Sequence, residues 1–196
     1  MNNFVQQVYN THPHIKFFGS CFGHQIICQA LLGPHGAIVT KDLEGWEIGV
    51  HPVVLTPSFL AYTKKEWISN LRDNLRFQFI HADHVIIPPE VLPSGWMVVG
   101  SSRHCAVQGV LEPGRVLTYQ GHFEFDRFIN SETLKVFGAL WDGTRISTAL
   151  ESIDADDDAE IAAMIVASFF VGGACSAKNS NIATGLLTPP DEEACL

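Results

Sequence analysis

The chain has 196 residues, 46% of them apolar, enough for one domain with a sizeable core and too few for two full domains. Its 21 acidic against 12 basic residues leave a formal charge of −9, and with no basic stripe to neutralise phosphates a nucleic-acid surface is excluded. Five irregularly spaced cysteines exclude a disulfide framework and fit a reducing, cytoplasmic compartment; residues 1–10 lack the apolar stretch of a secretory leader, and no run approaches the ~18 apolar residues of a membrane span.

In chain order, a polar opening with His12 and His14 in a loop leads to Ile15, Phe17 and Phe18, which read as a buried strand. Phe22, Ile26 and Ala30, with Ile27 and Leu31, recur at helical spacing, and Gly33-Pro34 stops that helix after Leu32. Residues 37–40 and 50–55 read as short strands, and 64–75 as a surface helix. Strands follow at 77–80, 96–100, 105–110 and 116–119, separated by Pro, Gly or Ser turns. Residues 128–140 place Ile129, Val136, Phe137 and Leu140 on one helical face. Residues 154–170 read as a helix with an acidic start (Asp154, Asp156, Asp157, Asp158, Glu160) that suits the N-terminal dipole. That acidic run reads as a solvated helix start, not a metal site. Beyond Gly172-Gly173 the composition turns to Ser, Asn, Thr, Pro and acids without periodicity. The chain is therefore expected to divide into a domain over 1–174 and a mobile tail over 175–196.

The chemistry concentrates at Gly19-Ser20-Cys21-Phe22-Gly23, where the first strand turns into the first helix. A glycine two residues to either side keeps side chains out of a sharp turn, as in the G-x-S-x-G nucleophile elbow. A thiol at a helix N-terminus is biased toward thiolate, and the N–H of Phe22 would point where an oxyanion forms. The plain alternative is a small buried cysteine on a strand-to-helix turn. A base is available at the end of the strand over 116–119. There His122 and Glu124, two apart in extended chain, point to the same side, so that a carboxylate can orient an imidazole toward a thiol. Of nine histidines, only His12/His14 and His81/His84 lie close in sequence, and no Cys/His quartet has zinc spacing; neither a metal nor a cofactor is expected.

Gly19-Ser20-Cys21-Phe22-Gly23-His24-Gln25 together with Gln120-Gly121-His122-Phe123-Glu124 resembles the signatures of the class I glutamine amidotransferases, G-x-C-x-G-x-Q and a later Q-x-H-P-E-like motif. Between them, Gly45-Trp46-Glu47-Ile48-Gly49-Val50 looks like the segment beside the glutamine pocket. His81-Ala82-Asp83-His84-Val85, followed by Pro88-Pro89, looks like the H-x-D-x-V…L-P stretch of the branch similar to GMP synthase. The likeness covers about residues 1–150 and is nearest to stand-alone members, among them γ-glutamyl peptidases acting on glutathione conjugates and proteins of secondary-metabolite genes. It implies a three-layer, flavodoxin-like α/β fold with a mostly parallel sheet. It also implies a Cys21–His122–Glu124 triad that cleaves a γ-glutamyl amide through a thioester, with Gln25, His81 and Asp83 at the substrate. The partners implied are glutamine or a γ-glutamyl conjugate and an acceptor enzyme for the ammonia, with no nucleic acid and no membrane. A γ-glutamyl peptidase and a non-catalytic relative are the other readings.

Two departures shape the expectation. Phe123 stands where the family usually has proline, which frees a backbone φ and predicts a looser His122–Glu124 geometry. Only residues 1–14 precede the first strand, where family members carry several dozen with a loop that supplies the second oxyanion donor. The chain therefore reads as N-terminally truncated, with an unpaired strand edge at residues 15–18. Loss of one such donor costs about 10²–10³ in turnover where it has been tested.

Overall fold

The computed structural model describes residues 1–172; the proposed tail over 175–196 lies outside the described residues. Six helices and nine strands follow in the order α1 (Asn2–Thr11), β1 (Phe17–Ser20), α2 (Phe22–Leu31), β2 (Ile38–Lys41), β3 (Glu47–Leu55), α3 (Pro57–Glu66), β4 (Asn74–His81) and β5 (Asp83–Ile86). Then come β6 (Met97–Val98), β7 (Gly100–Ser101), β8 (Val110–Glu112), β9 (Val116–Tyr119), α4 (Arg127–Phe137), α5 (Gly143–Ile153) and α6 (Ala159–Val171).

Strands β1-β9-β8-β6 form one sheet in that order, β4-β3-β7 a second, and β2-β5 a two-stranded ribbon. Backbone bonds between Gln78 and His122 tie the first sheet to the second. Alternation along β9 makes the layers. Leu117 and Tyr119 enter the main core with Phe59, Trp67, Leu75, Phe77, Phe79, Ile165 and Phe169, beneath α3 and α6. Thr118 faces the other way and meets His24 of α2, its Oγ1 lying 2.8 Å from the His24 Nδ1. A second core of Cys28, Leu32, Ala37, Val85, Val107 and Val110 sits under α2. A third, around Ile80, Leu134, Ala149 and Ile153, lies where α4 and α5 cover β3 and β4. This is the three-layer α/β arrangement expected. Parallel pairing is confined, among the described residues, to β1 with β9. The other pairs are antiparallel: β8 and β9, for instance, are joined by a tight turn at Pro113-Gly114 that can only reverse the chain. β1 ends its sheet's strand order, with a neighbour on one side only among the described residues.

Several elements differ from the sequence reading. The helix expected at 64–75 lies earlier, at α3, where Thr56 accepts a hydrogen bond from the Phe59 N–H at 3.3 Å and Pro57 occupies the first turn. Leu71 and Leu75, which completed the helical pattern, reach the core from a turn and from β4. The helix expected at 154–170 begins at Ala159, behind a separate α5 whose Asp142 cap accepts from the Arg145 N–H at 3.0 Å. Only Glu160 of the acidic run lies in the first turn of α6. Asp158 instead receives Arg72 at 2.7 Å and the Arg76 N–H at 2.8 Å, and with both guanidiniums beside it its carboxyl stays below the usual range despite burial. The strand at 96–100 is split because the chain changes sheets, β6 pairing with β8 and β7 with β3. The strand at 105–110 survives only as β8. His12 and His14 lie in a loop as expected, and the polar segment before them is a helix: α1 packs on α2, buries Val5 and sends the Gln6 amide to the Ala30 carbonyl at 2.7 Å.

Gly19 and Gly23, paired in the sequence reading, play different parts. A Cβ on Gly19 would lie 2.5 Å from the Gly23 carbonyl carbon and 2.8 Å from Ile27 Cδ1, whereas one on Gly23 would meet nothing within 4 Å. Gly19→Ala is expected to destabilise the fold by about 1–3 kcal/mol through overpacking. Gly23→Ala should leave stability unchanged or raise it by up to about 1 kcal/mol, the helix preference for alanine. Urea denaturation of both variants checks the contrast.

Candidate active site

Strand β1 delivers Cys21 to the N-terminus of α2. Cys21 has φ 48° and ψ −105°, the only positive φ at a non-glycine residue among the described ones. Such a conformation costs on the order of 1–3 kcal/mol and persists only where its surroundings over-determine it. Here the Cys21 N–H is held by the Tyr119 carbonyl at 2.8 Å, and the Cys21 carbonyl accepts from the Gln25 N–H at 3.1 Å. The half-exposed thiol thus stands at the positive end of α2. Next to it Phe22 opens the helix, with its side chain 67% exposed and its N–H, like that of any first helical residue, lacking an intrahelical acceptor.

Parallel pairing sets Ser20 opposite Tyr119, so the residues just past β9 run beside the elbow. His122 Nδ1 lies 2.7 Å from Glu124 Oε1 and 3.3 Å from Ser20 Oγ, and the Cys21 side chain is near enough to the ring to influence its charge. With Nδ1 given to the carboxylate, Nε2 is the nitrogen left for sulfur. Burial pulls the His122 pKa down, but the bonds and charges of Cys21 and Glu124 outweigh it and lift the value to about 9. Glu124 is held below the usual carboxylate range: burial alone would raise it, and the His122 and Ser20 hydrogen bonds reverse that. The Phe125 ring stacks on His122 at 3.8 Å and 13°.

At Phe123 the bend has contacts of its own. The Phe123 N–H donates to Glu124 Oε2 at 3.0 Å, a bond proline cannot make, and the Phe123 ring packs edge-on against Phe18 and Tyr119. Sequence reasoning also passed over Ser20, whose hydroxyl donates to Glu124 Oε1 at 2.8 Å, and Gln120, whose amide lies 3.8 Å from the sulfur. Gln120 was open to detection, because it precedes His122 by two in extended chain. Ser20 becomes visible only through the β1–β9 register.

Gln25 is buried beside the elbow, its Nε2 donating to the Asp83 carbonyl at 2.8 Å and lying 3.3 Å from Gln120 Oε1. His81 does not offer its ring to a ligand. Nε2 lies 2.9 Å from Glu47 Oε2 and Nδ1 3.0 Å from the Asp83 carbonyl, so both nitrogens are used. Asp83 contributes that carbonyl to the site, while its residue is exposed on the β2–β5 ribbon. Glu47 also accepts from Ser102 at 2.6 Å and Gln108 at 2.8 Å. These bonds keep its carboxyl below the usual range although burial alone would raise it. A hydrogen-bonded path therefore runs from Glu47 through His81, the Asp83 carbonyl, Gln25 and Gln120 to Cys21. Among the described residues no group of three or more His, Cys, Asp or Glu side chains is arranged to hold a metal ion, and no helix is long and apolar enough to cross a membrane.

The family profile of glutamine amidotransferase class-I matches residues 1–134. A glutamine amidotransferase-like protein of Schizosaccharomyces pombe is 30% identical over 153 residues, 78% of this chain and 54% of that protein. Gamma-glutamyl peptidase 2 of Arabidopsis thaliana is 29% identical over 119 residues, 61% of this chain and 44% of the peptidase. The chain spans about half the length of the curated relatives it matches. A glutamine amidotransferase of Thermotoga maritima shares the fold with a TM-score of 0.59 at 20% identity, over 86% of this chain and 66% of that one. One of Methylobacillus flagellatus has the same score and identity over 87% and 65%. With its elbow, its layers and a profile match over more than half its length, the chain belongs to the class I glutamine amidotransferase family.

Proposed function

We propose that the chain cleaves a γ-glutamyl amide with Cys21 as nucleophile, and what supports this is a cysteine at a strained elbow beside the 2.7 Å His122–Glu124 hydrogen bond. The raised His122 pKa suits the imidazole to hold the thiol's proton as the sulfur attacks. Sulfur attacks the side-chain carbonyl, and the oxyanion is met by the Phe22 N–H. His122 passes its proton to the departing nitrogen, leaving a γ-glutamyl thioester. Water then loses a proton to His122 and attacks the thioester; glutamate leaves and the thiolate is restored. Glu124, steadied by Ser20 and the Phe123 amide, keeps His122 in one tautomer. Gln25 holds the floor of the site through Asp83 and Gln120.

With glutamine as substrate the product is ammonia, for release or for an acceptor enzyme. The likeness to a plant γ-glutamyl peptidase favours a second reading in which the leaving group is the amine of a larger conjugate. The steps are the same in both, so comparing turnover of glutamine with that of glutathione separates them.

Cys21→Ala is expected to abolish release of ammonia from glutamine and of amine from γ-glutamyl peptides, and unchanged turnover would remove the nucleophile assignment. Iodoacetamide should alkylate Cys21 well before Cys28 and Cys105. Burial pushes the Cys28 thiol strongly up and that of Cys105 to about 12, so peptide mass mapping that found Cys28 labelled first would count against an activated Cys21. A third outcome concerns pH. His122 titrates at 6.5 in free chain and at about 9 in the fold, so its stabilisation is complete below 6.5 and is lost as pH rises through about 9. Unfolding free energy should therefore fall across that interval, and His122→Asn should flatten the fall in urea titrations.

A further inference from the structure

A cavity of about 690 Å³ opens between β3, α5 and the turn at residues 102–104. Trp46, Arg103, His104, Arg145 and Ser152 are among its walls, and Cys21, Gln25, His122 and Glu124 are not. Its volume suits a small organic molecule.

The arginines point to what that molecule carries. Of the chain's six, Arg72 and Arg76 bond Asp158, Arg127 reaches Asp154 and Asp156, and Arg115 donates to the Tyr9 carbonyl at 2.8 Å. Arg103 and Arg145 alone have no guanidinium hydrogen bond to any acceptor, backbone or side chain, among the described residues, and both line this one cavity. In a chain with 21 acidic and 12 basic residues, two uncompensated guanidiniums on one cavity stand out. The Arg145 guanidinium is also held in place, 4.0 Å above the Trp141 ring, and Trp141 packs edge-on against Trp46 at 5.4 Å. The carboxylates on its walls bond neither arginine. Glu47 is already satisfied by His81, Ser102 and Gln108, and Glu44 lies at the rim with its side chain 78% exposed. A pair of planar, always-charged forks beside an indole matches a carboxylate borne on an apolar ring.

We propose that this cavity binds a small molecule with a carboxylate on an aromatic body, the carboxylate held by Arg103 and Arg145 and the body lying against Trp46. None of Cys21, Gln25, His122 and Glu124 lines the cavity, and its ligand does not rest on the role assigned to Cys21.

Ligand-detected NMR titration of the chain with naphthoate, and with naphthamide as its uncharged counterpart, tests this. Naphthoate is expected to bind saturably, more weakly as salt is raised, and at least about tenfold more tightly than the amide. Arg103→Gln and Arg145→Gln should each weaken it about tenfold, and the double variant should lose it while keeping the wild-type unfolding transition. Absence of saturable naphthoate binding, equal affinity for acid and amide, or undiminished binding in the double variant would overturn the proposal. Cys21→Ala should bind naphthoate as the wild type does, so failure of the nucleophile assignment leaves this result standing.

Discussion

The site exists because two short strands run in parallel. Residues 17–20 lie in register with 116–119, so whatever follows each strand emerges side by side. A glycine turn on one chain and a Gln-Gly-His run on the other then bring sulfur and imidazole together across about a hundred positions of sequence. The backbone strain at Cys21 is sustained by the same pairing, through the bond from its N–H to the Tyr119 carbonyl. Everything farther out, from the stacked Phe125 to the path of amides leading to Glu47, is arranged around that adjacency.

Around this pair the molecule divides its polar groups into two kinds. Some are buried and inert: His24 is sealed beside Thr118 with its pKa depressed to about 3 by burial, and the Glu47–His81 pair is closed off by Ser102 and Gln108. Removing one member of such a buried pair leaves the other uncompensated, a cost of about 3–5 kcal/mol. Others keep an unused valence facing outward, as do the thiol at the elbow and the guanidiniums of Arg103 and Arg145.

Much of this was legible in the chain itself. The elbow, the β9 strand and the His122–Glu124 pair follow from local patterns, since glycines, apolar runs and period-two spacing act over a few residues. The strand at 116–119 was legible for the same reason, and the one expected at 37–40 lies one residue later, at 38–41. The α3 boundary was misplaced although Thr56-Pro57 spells a helix start, because Leu71 and Leu75 mimic a helical stripe from a turn and a strand. The acidic run at 154–160 looked like one helix start and is a junction between two helices, its meaning set by Arg72 and Arg76 from far earlier in the chain. His81 was read as a pocket residue; only the partner strand, which sets Glu47 opposite it, reveals that its ring is spent. Local signals wrote the elements, and long-range pairing decided which side chains were left free.

Phe123 carries a consequence of its own. With no proline ring at this bend, the chain stiffens it by an amide bond to Glu124 and by packing a phenyl group against Phe18 and Tyr119. Rigidity that comes from a ring persists when the interior loosens; rigidity borrowed from neighbours does not. The alignment of the imidazole is thereby coupled to the cohesion of the aromatic interior, and mild heating that softens that interior would disorder the carboxylate before the secondary structure melts.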